Sequence, residues 1–549
     1  MRLIGRCYCA AANAALLVAC LAVAVIVNEW VSGAFPLRSL VENEPAADPD
    51  SAESTVRQID ELIRQECQDR QLKPLGPASD LTIARRMTLS LQGRIPSLTE
   101  VRLLEQSPKA KRVEAFFDQL FEDQRFGEHL GEVLTQACVI DQVLDPPNPY
   151  RRRSFHRWLS NEINSATPYD EIARRIVTAE GLCSEEGAAN FYASYKSDPE
   201  TLAAQASRYF LGLRLDCAQC HDDPFASWKQ EQFHQLASYF AGIKQRSWPF
   251  DEGDAGWHKH GVYYVPTEYS YKNHKTNQRD TVAPKAPFRP ELDSGHGSPR
   301  HRLANWLTHR DNPYFARAIV NRMWFLMFGR GLIEPIDDLS KPESVPGVLD
   351  ILAQDLREHD YDLRRVLRLI ARTEAFRRES AMDAPATLEH EEVFASFPVT
   401  RLPPKVISFS LSQTLLGRPL GQSTNLIERS LATMQSESFA QGVGTSASDK
   451  ILLDRPSLVQ RLALMNGERW ESEKLWRPLT LPFQMALLCG DDELCVRTAF
   501  KTCLSRDPTD AELSYFAAEL SGCAVADRPD YVADMLWSLT NSSEFIWRH

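Results

Sequence analysis

The sequence lacks the signatures of the common catalytic machines. It has no G-x-S-x-G elbow, no Walker loop, no dinucleotide fingerprint and no H-E-x-x-H pair. Each of these places a nucleophile, a phosphate cradle or a zinc by spacing alone. With none present, no catalytic constellation is assigned and enzymatic activity stays open. A long basic tract is also missing, and the net charge is −12 with a pI near 5.6. Nucleic acid needs a clustered positive footprint, so it is not expected as a partner. The local basic run "RRRSFHRW", Arg151–Trp158, is too isolated to supply one and reads as a solvated helix start. Tandem repeats and extended low-complexity tracts are absent, and 549 residues leave room for two or three domains.

Cysteine is too thinly spread for a disulfide framework. Of twelve cysteines, Cys7, Cys9 and Cys20 lie in the N-terminal leader. Setting aside Cys217 and Cys220, seven remain, an odd and scattered number. The late group of Cys489, Cys495, Cys503 and Cys523 has room for one or two bridges, with no pairing favoured.

What the sequence does have starts at its first residues. Arg2 and Arg6 precede an apolar run from Ala10 to Val27, interrupted only by Asn13. A positive flank before such a run is the pattern of an export signal. Its length is at the lower edge of a membrane-spanning helix, with the positive end cytoplasmic. The expectation is an exported protein in the periplasm or cell envelope. It is either cleaved near Val31-Ser32-Gly33 or, the favoured alternative, anchored in the inner membrane by residues 10–27. Leu17-Val18-Ala19-Cys20 imitates a lipoprotein box, but the run continues seven residues beyond Cys20. Residues 35–55 are acidic and rich in Pro, Ala and Ser, as a flexible linker would be.

Beyond the linker, helical patterning dominates. The fold class expected is mainly α, with two helical domains over 56–244 and 298–549. Between them, 245–297 is irregular and rich in Tyr, Val and Thr, reading as one or two short β-hairpins. Local signals place individual helices. Ser79 caps a helix that Gly93 ends and that places Ile83, Met87 and Leu91 on one face, and Ser97 with Glu100 forms a capping box. Asp198-Pro199 opens a helix carrying Leu202, Ala206 and Tyr209 or Phe210 inward, and Ser227 with Gln230 begins another. Asn312-Pro313 opens the most apolar helix, which Gly329 stops. Further helices are expected around 345–358, 362–376, 403–415, 455–466, 494–504, 510–521 and 528–543.

Between two of these helices lies "LDCAQCHDDPF", residues 215–225. Thiols three positions apart can add to the two vinyl groups of one haem, and the histidine that follows is placed to bind its iron. Cys217 and Cys220 are therefore candidate attachment sites and His221 a candidate iron ligand, with haem c the favoured cofactor. Three other readings stay open. A redox dithiol would want a strand-to-helix setting. Zinc would need further ligands, with His234 available on the next helix. A structural disulfide or simple packing is the third. No methionine occurs between His221 and Met323, so an ordinary His/Met cytochrome is not expected. The histidines nearby are His234, His258, His260 and His274. Two weaker groups are Glu334, Asp337 and Asp338, which read as capping carboxylates, and Arg317, Asn321 and Arg322, expected to bond to that acidic turn.

These stretches resemble a known family. "LGLRLDCAQCHDDPFASWKQEQFHQLASYFAGI" is similar to the core of the planctomycete cytochrome-like domain of unknown function. "LANWLTHRDNPYFARAIVNRMWFLMFGRGLIEPIDDLS", "REHDYDLRRVLRLIARTEAFRRES" and the closing "LWSLTNSSEFIWRH" resemble the partner domain of unknown function that usually follows it. The resemblance runs from residue 56 to the end. It implies an exported or membrane-anchored protein with Cys217 and Cys220 as thioether sites and His221 as axial ligand. The family pattern has a histidine where this chain has Asp223. The separate cytochrome c domain and the Trp-rich helix end before residue 140 are also missing. Taken together, these readings lead to a haem protein at the cell envelope that exchanges electrons with a redox partner protein. The alternative is a non-haem scaffold or glycan-associated protein whose cysteine pair is structural or binds zinc.

Overall fold

A computed structural model of the chain describes residues 49–109, 111–139, 149–224, 228–249, 258–382, 384–417 and 480–549. The expected anchor at 10–27, the first part of the acidic linker, the Ser227 cap and the helix around 455–466 lie outside these residues. Among the described residues, no helix is long and apolar enough to cross a membrane.

The protein is mainly helical with little strand. The first helix, α1 (Pro49–Asp69), begins inside the segment expected to be flexible. The correction has a simple cause. Ala52, Val56, Ile59, Ile63 and Cys67 recur at helical spacing and are all buried, a pattern that outweighs the acidic composition around them. Helix α2 (Asp80–Gln92) starts at the Ser79 cap, whose Oγ accepts from Thr82 N–H at 3.1 Å, and stops at Gly93 in the left-handed region. Helix α3 (Leu98–Gln106) carries the expected capping box, with Glu100 also held by Arg94. Helices α4 (Arg112–Glu122), α5 (Gln124–Cys138), α6 (Pro149–Asn164) and α7 (Tyr169–Thr178) complete the first layers. The basic run on α6 is not simply solvated. Arg151 donates to the Ala193 carbonyl, and Arg152 pairs with Glu132 at 2.6 Å.

Two antiparallel hairpins follow where irregular chain with hairpins was expected. Strand β2 (Ile243–Pro249) pairs with β3 (His258–Tyr264), and β1 (Gly181–Leu182) adds to the other edge of β3. Strands β4 (Tyr269–Lys272) and β5 (Arg279–Val282) form the second hairpin. The apolar helix Phe315–Phe328 starts two residues after Pro313, because Asn312 Oδ1 accepts from both Tyr314 and Phe315 N–H.

Packing does not divide at residue 298. One apolar core runs from Ala52 to Phe397 and draws on both halves of the chain. A second joins Leu89 and Ile95 to residues between Leu402 and Ile546. Helix α2 therefore lies between the two cores and is buried from Ile83 through Gln92, although the sequence suggested one apolar face. Its two arginines are buried with it and bond to carbonyls: Arg85 to Cys503 and Phe545, and Arg86 to Phe376, Arg378 and His549.

Candidate functional site

The approach to the cysteine motif is built by local sequence. Asp198 Oδ2 caps helix α8 (Pro199–Ala206) through Thr201 N–H at 2.9 Å, with Pro199 in the first turn. One π-helical turn, Ser207–Leu211, ends at Gly212 with φ of 61°. The second half of the chain then fastens the segment. Leu339 N–H donates to the Gly212 carbonyl at 2.7 Å, and Arg214 pairs with Asp337 at 2.6 Å. The acidic turn thus splits its duties. Asp337 holds the approach to the motif, Asp338 caps its own turn through Ser340, and Glu334 accepts from Gly331 N–H. Of the three polar residues expected to bond to this turn, Asn321 does so, through the Ile333 backbone. Arg317 instead pairs with Asp350, and Arg322 donates to the Arg208 carbonyl.

Leu213 and Leu215 are buried, and the chain then makes one 3₁₀ turn, Asp216–Gln219. Side chains three apart eclipse on such a turn. Ala218 points inward and is fully buried, while Cys217, Cys220 and His221 are exposed. Both thiols are free. The Cys217 carbonyl receives the N–H groups of Cys220 and His221, each at 3.4 Å. His221 Nδ1 lies 2.8 Å from the Asp222 carbonyl. A carbonyl only accepts, so Nδ1 carries the hydrogen and Nε2 presents its lone pair outward. The loop is tied down by Asp222, which caps helix α9 (Gln230–Ala237) through Gln230 N–H and pairs with Lys275 at 2.7 Å. Lys275 and that N–H hold the Asp222 carboxyl below its ordinary range.

Behind the turn is a polar network the sequence did not announce. His234 is 2% exposed and stacks on Tyr271 with ring centroids 3.9 Å apart. Its Nε2 meets the Gln219 carbonyl at 3.1 Å, and its Nδ1 meets the Tyr269 hydroxyl at 2.8 Å. Tyr269 also reaches Glu200 Oε1 at 2.9 Å, while Gln219 Nε2 donates to Glu200 Oε2 at 2.8 Å. Burial lowers the His234 pKa against the opposing pull of Glu200. A neutral imidazole donates from Nε2 to the carbonyl and accepts at Nδ1 from Tyr269. That hydroxyl has one hydrogen for two acceptors, so closing both bonds at once takes one more proton.

The network also bears on the zinc alternative for His234. Both of its nitrogens are committed to the protein, so it is not placed to serve as a zinc ligand. Among the described residues, no group of three or more His, Cys, Asp or Glu is placed to hold a metal ion. The donor set does fit covalent haem attachment: two exposed thiols on one turn and a histidine whose Nε2 is turned outward. His274 shares the arrangement of His221. Its Nδ1 is held by Gln230 Oε1 at 2.7 Å, and its ring is exposed. No local pattern pointed to Glu200, Gln219, Tyr269 or Tyr271, because their contacts span between 11 and 69 positions of chain.

His234 is thus a positioning residue for the cysteine turn. His234→Phe keeps the stacking but leaves the Gln219 carbonyl only its longer contact with Gln230. The expected loss is about 2 kcal/mol, with a several-fold change in alkylation rates of Cys217 and Cys220 while the fold persists by circular dichroism. Unchanged thiol rates would show that the network does not position the turn.

Neither a curated protein nor a solved structure matches the chain. Two family models do. Residues 58–245, which include the whole cysteine turn, match PSCyt2, described as a protein of unknown function (DUF1549). Residues 299–520 match PSD1, likewise described as a protein of unknown function (DUF1553). The chain therefore belongs to the proteins in which a PSCyt2 domain is followed by a PSD1 domain, two domains of unknown function in N-to-C order.

Proposed function

We propose that this is an exported, c-type-haem-binding protein, anchored at the cell envelope through residues 10–27, that acts in electron transfer or haem-linked redox chemistry. The observation that carries the proposal is the cysteine turn. Cys217 on the 3₁₀ turn and Cys220 directly after it are free, exposed thiols, and the adjacent His221 is held in the tautomer that would leave Nε2 for iron. Bound haem would supply a one-electron couple. The chain's residues would hold it by two thioethers and one imidazole, with the turn braced by Gln219, His234 and Glu200. His274, exposed and with its Nδ1 held by Gln230, would be available as a further nitrogen donor. It precedes Lys275, which is paired with Asp222 next to His221. The redox partner would be another envelope protein.

The test is direct. The full chain is produced in a host with haem c maturation and resolved on a haem-stained denaturing gel, with a pyridine haemochrome spectrum. A c-type band is expected in the wild type and absent in Cys217→Ala, with both forms folded by circular dichroism. A folded wild type with intact thiols and no band would overturn the haem reading in favour of a non-haem envelope scaffold.

A further inference from the structure

A cleft of about 870 Å³, which includes no residue of the cysteine turn, lies between the start of α7 and residues 305–311 and 360–361. Four carboxylates line it, Asp170, Glu171, Asp311 and Asp360, against two guanidiniums, Arg174 and Arg310. Two of the carboxylates already have cations. Glu171 pairs with Arg175 at 3.0 Å and Asp360 with Arg310 at 3.5 Å. Among the described residues, the other two have no cation so close. Asp170 lies 3.9 Å from Arg174 Nε, while Arg174 Nη1 donates to Asn305 Oδ1 at 2.8 Å. Asp311 lies 3.8 Å from His309 Nδ1, and that nitrogen accepts the Asp311 N–H at 3.1 Å. An imidazole nitrogen that accepts carries no proton, so it offers the Asp311 carboxylate no hydrogen.

The cleft also holds a hydroxyl that the protein leaves unsatisfied. Tyr361 lines the cleft but is only 4% exposed, and its Oη has no hydrogen-bond partner among the described residues. Asp360 and Tyr361 both sit in the left-handed region, at φ of 50° and 55°, where L-residues rarely settle. Two backbone bonds hold the turn there. Tyr361 N–H donates to the Leu356 carbonyl at 2.9 Å, and the Tyr361 carbonyl accepts from Tyr169 N–H at 3.2 Å. The second bond ties the tyrosine to the start of α7. Burial first, then Asp170, push the Tyr361 pKa up to about 12, opposed by Arg357, Arg310 and Arg174. Three of those four charges belong to the cleft wall. A buried hydroxyl without a partner is costly, and a ligand in the cleft would supply the missing bond.

We propose that this cleft binds a linear aliphatic di- or polyamine, with one ammonium at Asp170 and Tyr361 and another at Asp311. Charge selects a cation, because the carboxylates of the wall outnumber its guanidiniums. A metal ion does not fit, because among the described residues no three His, Cys, Asp or Glu are placed around one centre. A cation whose charges are spread along a chain does fit two separate carboxylates. An alkylammonium has three N–H donors and no acceptor. At one end they reach the Asp170 carboxylate and the Tyr361 oxygen, and at the other the Asp311 carboxylate. The methylene spacer lies along Pro168 and the apolar stems of Arg174 and Arg310. The site stands whether or not Cys217 and Cys220 carry a cofactor.

The test is isothermal titration calorimetry of the full chain with spermidine at fixed ionic strength. The wild type is expected to show one saturable site. Asp170→Asn and Asp311→Asn are each expected to bind about ten-fold more weakly. Asp311 is exposed, so its change should leave the circular dichroism spectrum as it was. Tyr361→Phe is expected to bind several-fold more weakly with no fall in urea midpoint, since the hydroxyl it removes has no partner in the protein. Glu519→Gln removes an exposed carboxylate from helix Asp510–Gly522 and is expected to bind as the wild type does. Three results would overturn the proposal: no saturable binding by the wild type, equal weakening by Glu519→Gln and Asp311→Asn, or butylamine bound as tightly as spermidine.

Discussion

Arg86→Leu is expected to cost about 5 kcal/mol of stability, because it strips donors from three buried backbone oxygens at once. Arg86 is fully buried, and its Nη1 donates to Phe376 and Arg378 at 2.9 and 2.6 Å. Its Nε donates to the backbone oxygen of His549 at 2.7 Å, and its guanidinium lies 3.8 Å from the Phe397 ring centroid. Leucine fills part of the volume, but the carbonyls stay buried without those partners. An unsatisfied buried acceptor forfeits its water without recompense. The loss should appear in urea unfolding of the full chain as a large fall in midpoint. Arg86→Lys should recover only part of it, since one ammonium does not reproduce the planar fork. A midpoint for Arg86→Leu equal to wild type would mean that these bonds contribute nothing net.

Gly93→Ala is the second large effect, and it is steric. Gly93 closes helix α2 at φ of 62°, where an L-residue costs about 1 kcal/mol. A Cβ there would also fall 2.6 Å from Cε1 of His129 and 3.0 Å from its Cγ. The ring is hemmed in. Burial first, then the charges of Arg125 and Arg548, push its pKa down to about 3. Strain of about 2 kcal/mol is added by the displaced ring, for a total loss of about 3 kcal/mol. The two causes are separable by a double-mutant cycle with His129→Ala. That change should relieve the clash, leave the backbone cost, and give a coupling of about 2 kcal/mol. Additive losses would show that the ring moves aside freely.

Much of the local structure was legible in the sequence because its causes are local. A cap needs one hydroxyl or carboxylate and an N–H two or three residues on, and Ser79, Ser97 and Asp198 all cap where expected. The left-handed stops at Gly93 and Gly329 required only the residue without a Cβ. The hairpins announced themselves by composition. Two errors were of composition against periodicity. The acidic, Pro-rich start of α1 concealed an apolar stripe, and the arginines of α2 concealed a helix buried all round.

The cysteine turn shows the same division within one site. Cys217, Cys220 and His221 were legible because the chemistry demands them at fixed spacing. Their brace was not. Glu200, Gln219, His234 and Tyr269 meet only because α8, α9 and β4 pack together, and no spacing encodes such a meeting. Likewise the sequence did not say which of the four late cysteines the fold buries: Cys495 and Cys503 are buried, Cys489 and Cys523 are part-exposed, and all four are free thiols.

By itself, then, the sequence determined the mainly helical class, the helix ends and the presence of a Cys-Cys-His turn, each written within a few adjacent residues. Tertiary structure alone decided that one apolar core runs across residue 298, that both nitrogens of His234 meet protein partners, and which of the late thiols are buried. The physical reason is range. Hydrogen-bond caps and periodicity act over one or two turns of chain, whereas burial and polar satisfaction are settled by whatever the fold brings alongside.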